Sequence, residues 1–303
     1  MSLSSFLSTN TSLQSSAFNL YHFMQVCYNT PVGSSIQTSF TIMCVLLLAP
    51  FCIFVLYLVH QQTKQQGSGL KLSHADVFTL HVVVIELLSI FGTTLICCGH
   101  HADIPDMMML GIYFYSLNLP GQMFFHILTC LERFVAVVHP IAYLSMRTAK
   151  GIRIRNIAVC CTWLLTFVWT LVLITSDQAA ISSISFCITF LFFIIVSSCS
   201  LSVLCVLIRP GPGEGGGERR VDHSKMRAFY TILAILGVLL FRFGGTTLSS
   251  SATYASAELT GEGRCELWLS VVWFYLPSRL VLPILFLQRV GKLLCCRNRN
   301  HSG

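Results

Sequence analysis

Residues 38–60 read TSFTIMCVLLLAPFCIFVLYLVH, from Thr38 to His60, with no Asp, Glu, Lys or Arg. The hydrocarbon core of a bilayer is about 30 Å thick and an α-helix rises about 1.5 Å per residue, so roughly 20 apolar residues cross it. This stretch is long enough to do so. Comparable apolar runs follow near 76–98, 107–133, 156–175, 182–208, 228–251 and 267–288, separated by polar loops. The second, third and seventh contain ionisable groups. The pattern predicts an all-α membrane protein, a seven-transmembrane helix bundle over 38–288, preceded by a tail over 1–37 and followed by a tail over 289–303.

The bulk composition points the same way. Of 303 residues, 54% are hydrophobic and 10% charged, with a mean hydropathy of +0.72. Soluble domains carry about 25% charged residues. A single globular core cannot hide this much apolar surface, so lipid is expected to be the solvent for much of it. The first 37 residues hold no Lys, Arg, Asp or Glu. They lack the basic and apolar regions of a cleaved signal peptide, so the first span is expected to direct insertion.

Sidedness follows from Lys and Arg, which are retained in short cytoplasmic loops. Lys64 and Lys71 fall after the first run; Arg147, Lys150, Arg153 and Arg155 after the third; Arg209, Arg219, Arg220, Lys225 and Arg227 after the fifth; Arg289, Lys292, Arg297 and Arg299 after the seventh. These are fifteen of the nineteen basic residues. Arg264 alone falls in an opposite loop, while Arg133, Arg242 and Arg279 lie in spans. The N-terminus is therefore expected outside the cell and the C-terminus in the cytoplasm, in a multi-pass plasma-membrane protein. Asn10-Thr11-Ser12 is then a candidate glycosylation acceptor.

Most of the fourteen cysteines lie within apolar stretches and read as small hydrophobes. Cys27, Cys97, Cys98 and Cys265 fall near outer ends, where an oxidising compartment permits pairing. The glycine-rich run from Gly211 to Gly217 lacks the Lys-Ser or Lys-Thr and the preceding strand of a phosphate loop, and reads as a cytoplasmic linker. His100, His101 and Asp103 crowd one outer loop. A flexible His-His pair is more often solvated loop than ligand, so no metal site is assigned. No nucleophile–base pair, cofactor motif or nucleic-acid motif stands out, and an enzyme is not expected.

Glu132-Arg133-Phe134 ends the third run, with Val138-His139-Pro140 beyond it. Leu80 leads to Glu86-Leu87-Leu88 in the second, Trp163 lies in the fourth, and Leu282-Pro283-Ile284-Leu285-Phe286 in the seventh, with Cys295-Cys296 after it. In order and spacing these resemble the rhodopsin-like G-protein-coupled receptors: the Asp/Glu-Arg-Tyr triplet, the second-helix acid, the fourth-helix tryptophan and the Asn-Pro-x-x-Tyr sequence. The resemblance implies G-protein coupling through Glu132, Arg133 and Phe134, an extracellular ligand, and palmitoylation of Cys295 and Cys296. It also implies a disulfide between Cys27 and Cys265, since some of these receptors join the corresponding regions. Some family features are missing. Met108 stands where the family has an outer cysteine, and Gly244-Gly245 stand near a sixth-helix proline.

Ligand class is narrowed by exclusion. Tyr115 replaces the aspartate of the amine receptors, and no span holds a lysine for a retinal Schiff base. Six acids (Asp103, Asp106, Asp177, Glu258, Glu262 and Glu266) face outward, and Tyr113, Tyr115 and Trp273, with Trp268 and Tyr275, are candidates for an aromatic ligand pocket.

Charge in the middle of a span is disfavoured by about 2.5 to 3.5 kcal/mol, so such residues need partners. Glu86 lies about 16 Å from the inner end of its helix and Arg279 about 13 Å from the inner end of its own. An internal Glu86–Arg279 pair is expected, with Gln122 as polar neighbour. By the resemblance, the guanidinium then stands where the family binds sodium. Arg242, farther from the inner face, is the alternative partner. The function these readings imply is a receptor linking an external ligand to a heterotrimeric G protein. The competing functions are a receptor-like protein that acts through partners without signalling, and a transporter or channel. A tag at the N-terminus should be reached by antibody on intact cells and one at the C-terminus only after permeabilisation; the reverse result would invert the assignment.

Overall fold

The computed structural model describes residues 24–65, 74–146, 148–175, 178–208, 236–245 and 261–281, together with Tyr21, Leu233, Ala234, Thr247, Ile284 and Leu287. Every regular element among them is helical.

Helix α1 (Pro31–Met43) begins before the uncharged apolar run does. Its start is set by a cap. The Thr30 hydroxyl accepts from the Gly33 N–H at 3.1 Å, and Pro31 occupies the first turn, where a missing N–H costs nothing. A π-helical segment, Cys44–Leu48, joins α1 to α2 (Ala49–Gln65). Pro50 has no N–H to give the Leu46 carbonyl, and just before it the ladder widens, Ala49 N–H reaching back to Cys44 O.

Helix α3 (His74–His101) is followed by a tight turn in which Asp103 adopts φ 54° and Ile104 N–H bonds Gly99 O at 2.9 Å. Helices α4 (Pro105–Ser116) and α5 (Asn118–Val138) run nearly end to end. The break at Leu117 comes where Pro120 cannot supply an N–H to the preceding turn. Pro140 opens α6 (Pro140–Met146), followed by α7 (Ala149–Thr175) and α8 (Gln178–Ile208). Helices α9 (Leu236–Gly245), α10 (Gly261–Ser270) and α11 (residues 272–281) complete the described structure.

Five segments among the described residues are long and apolar enough to cross a membrane: Pro31–Gln61, Asp76–His101, Pro105–Val138, Ala149–Ile174 and Phe186–Val206. The sixth and seventh expected runs are described only in part, as α9 and as α10 with α11. The second span is the most enclosed, with 56% of its apolar window inside the bundle against 22% for the fifth. Leu46, Ile53, Phe54, Leu164, Leu165, Val168, Phe190 and Leu191 stand exposed on the outside. Apolar surface of that extent fits a lipid bilayer as the surrounding solvent.

Lipid tails are as apolar as leucine, so helices associate through close packing and buried polar contacts. Helices α3 and α4 meet at glycine. A Cβ on Gly92 would stand 2.5 Å from Tyr115 N and 2.8 Å from Gly111 O, and one on Gly111 would stand 2.7 Å from Ile96 N. Elsewhere Trp163 on α7 donates to His81 Nδ1 on α3 at 3.3 Å, and the His81 ring stacks on Phe125 of α5 with centroids 5.3 Å apart. Three spans are thereby joined at one point. Replacing Gly92 or Gly111 by Val should cost at least about 1–3 kcal/mol and lower the thermal midpoint of the purified protein. Gly237→Ala, whose added methyl meets nothing within 4 Å, should not lower the midpoint.

Candidate functional site

Glu86, near the middle of α3, is fully buried. Its carboxylate accepts from Asn118 Nδ2 at 3.2 Å and from Gln122 Nε2, and Arg279 Nε lies 3.6 Å from Oε2. Helical spacing makes this convergence, because Asn118 and Gln122 are one turn apart on α5 and share a face. Glu86 and Ser89 stand in the same relation on α3, and Ser89 Oγ accepts from Arg279 Nη2 at 3.0 Å. The Arg279 guanidinium also reaches Cys44 Sγ in the π-helical segment at 3.7 Å and lies 5.4 Å from the Phe40 ring and 5.9 Å from that of Tyr115.

The chain of contacts continues past the acid. Arg242 on α9 donates from Nη1 to Gln122 Oε1 at 2.7 Å and to Ser278 Oγ at 3.4 Å, and it covers the Tyr275 ring at 4.9 Å. Gln122 therefore faces a carboxylate with its NH₂ and a guanidinium with its carbonyl. The reverse orientation would set like dipoles against both charges. The structure thus brings together Glu86, Arg279 and Gln122. It makes Arg242 a further member of the chain, although the sequence presents the two arginines as alternatives. Asn118, Ser89 and Ser278 were not singled out from sequence. Their signal was present as polar residues one helical turn from, or next to, Glu86, Gln122 and Arg279.

A cavity of about 270 Å³ adjoins the two arginines, with Tyr28, Gln37, Tyr115 and Tyr275 also on its wall. Residues Met24 and Tyr28, in the expected N-terminal tail, are helical, buried and part of that wall. A disulfide between Cys27 and Cys265 holds them there, its Cα atoms 5.1 Å apart. Met108, where the resembled family has its outer cysteine, is buried in the same apolar cluster as this bond. Burial, with Tyr115 nearby, pushes the Tyr28 phenol well above its ordinary range and keeps it neutral.

Of the aromatic pocket candidates, Tyr115 and Tyr275 line this cavity. Tyr113 is exposed at 39%, and Trp273 sits edge-on to Phe40 at 5.8 Å with its own surface 36% exposed. The physical reason is angular. Residues two apart on a helix point about 200° apart, so Tyr113 and Tyr115 cannot face one cavity.

At the opposite end of α5, Glu132 is buried and accepts from the Tyr143 hydroxyl of α6 at 3.2 Å, and Phe134 packs 6.1 Å from the His139 ring. The His139-Pro140 break thus folds α6 back against the acid of the triplet. Among the described residues no group of three His, Cys, Asp or Glu side chains is arranged to hold a metal. His101 instead bonds the Cys97 carbonyl at 2.8 Å, and His100 lies 5.8 Å from the Tyr28 ring. Asn10, Cys295, Cys296, Pro283 and the Gly211–Gly217 run lie outside the described residues.

Compared with known proteins, the chain matches no protein-family model and no curated sequence. The site therefore rests on its own chemistry. Removing one partner of a buried ion pair strands the other, at about 3–5 kcal/mol. Glu86→Gln, which leaves two guanidinium groups without a carboxylate, should reduce surface expression and the thermal midpoint more than Arg279→Gln does. The double substitution should recover part of the loss. Additive losses, measured by surface labelling and thermal unfolding, would show that the two side chains are not coupled.

Proposed function

We propose that this chain is a seven-span receptor that passes occupancy of the clipped cavity to a heterotrimeric G protein at the far end of α5. The observation that carries this reading is the placement of groups on α5. Asn118 and Gln122 belong to the ionic chain beside the cavity, and Glu132, buried against Tyr143, lies about 15 Å farther along the same helix. A ligand that touches Arg242 or Arg279 alters the balance of charge against Glu86 and so the seat of α5. A ligand can shift an equilibrium only by binding its states unequally, and these contacts supply such a difference.

In this reading the N-terminus is extracellular, with Asn10 glycosylated, and the C-terminus is cytoplasmic, with Cys295 and Cys296 palmitoylated at the plasma membrane. Arg133 reaches the G protein, Glu132 and Phe134 shape its resting position, and the basic loops around Arg153 and Lys225 flank the dock. Arg279 takes the place of the sodium ion of the resembled receptors, so sodium should not modulate signalling. The mid-span charges bond to one another, an arrangement suited to a switch more than to a permeation path.

Cells expressing the chain with a panel of chimeric G-protein reporters should give a basal or ligand-evoked signal. Arg133→Ala should abolish it while surface expression is retained. A signal unaffected by that substitution would refute coupling through the triplet, and silence from every chimera would favour a receptor-like protein that acts without a G protein.

A further inference from the structure

The ionic chain is unbalanced. Among the described residues it contains two guanidinium groups and one carboxylate, and the carboxylate lies against Arg279. Arg242 reaches it only through the neutral amide of Gln122; its other partners are the Ser278 hydroxyl and the Tyr275 ring, both also neutral. Arg242 is 7% exposed and remains charged in any protein environment. A cation held at this depth in an apolar medium calls for a counter-anion. Both described hydrogen bonds of Arg242 leave from Nη1, and a guanidinium has five N–H donors in a planar fork.

The cavity adjoins this group. At about 270 Å³ it lies at the small end of ligand pockets, which run from about 300 to 1,000 Å³. Leu119, Leu173, Leu269 and Val272 form its apolar wall. We infer that the cavity takes a small monocarboxylate carried on an apolar body, its carboxylate paired with the Arg242 fork. A planar carboxylate matches that fork in a two-pronged contact. A single negative charge offsets the surplus of one, whereas a phosphate monoester would bring about −1.5 to −2 and leave the site over-compensated. An amine would meet two guanidinium groups and be repelled.

The inference rests on reading the cavity as the ligand site, and it is tested on purified full-length protein without G protein. The probes are 3-phenylpropanoate, 3-phenylpropan-1-ol and 3-phenylpropylamine, which share one carbon skeleton, added to protein in lipid nanodiscs in a chloride-free buffer. The acid should raise the thermal midpoint in a concentration-dependent way, and the alcohol and amine should not. Arg242→Gln should weaken acid binding at least about tenfold. Arg242→Lys, which keeps the charge and loses the fork, should weaken it by a smaller factor and serves where the glutamine variant does not fold. No shift with the acid, equal shifts with the alcohol or amine, equal affinity in the variants, or stabilisation by chloride alone with nothing added by the acid would each overturn the inference. Acid binding together with silence from every reporter, basal and evoked, would leave the ligand class standing and remove the signalling reading, so the two fail separately.

Discussion

A carboxylate placed in hydrocarbon must find hydrogen-bond donors and a countercharge, because no water is there to supply either. Glu86 finds both at once, in Asn118, Gln122 and Arg279. Those partners come from α5 and α11, so satisfying one side chain fixes three helices against each other. Arg279 then extends the requirement to α1 and the π-helical segment through Phe40 and Cys44, and Gln122 extends it to α9 through Arg242. In a medium where hydrophobic burial does not distinguish a neighbouring helix from lipid, this polar chain and the glycine contact of α3 with α4 provide specificity.

The same need shapes the cavity. Its polar wall includes Arg279 and Asn118, which satisfy Glu86, and the amphipathic side chains of Tyr115 and Tyr275, whose rings lie against the guanidinium groups. The Cys27–Cys265 bond brings the chain segment before α1 over this region, so Met24 and Tyr28 become part of the wall. Ligand contact and helix seating therefore share residues. At the other end of α5 the triplet acid is held by Tyr143, a residue delivered by the break at His139-Pro140. A local constraint on backbone, the missing proline N–H, thus reaches the proposed coupling surface.

Much of this is legible in the sequence. Apolar runs of spanning length marked the helices, and the segregation of Lys and Arg supplied an expected sidedness. Glu86 and Arg279 stood out because charge at comparable depth in apolar helices requires an explanation. The start of α1 was less legible, since Thr30 and Pro31 set it and the residues that follow include Ser34, Ser35 and Gln37. Tyr113 and Trp273 were grouped with Tyr115 by residue type, and the helix turn separated them.

By itself the sequence determined that helices of membrane-spanning length form and which charges within them need partners, because both follow from chain-local cost: the length of an apolar run and the energy of a bare charge in lipid. It did not determine which arginine meets the acid. Depth favoured Arg279 over Arg242 without fixing the contact, and the azimuth of α9 and α11 around the bundle put Arg279 on the carboxylate and Arg242 on the far side of Gln122. Azimuth depends on how neighbouring helices pack, through contacts such as Gly92 with Gly111, and no property of a single helix encodes it. The surplus guanidinium beside the cavity is therefore a product of tertiary structure, although every residue that makes it was visible in the chain.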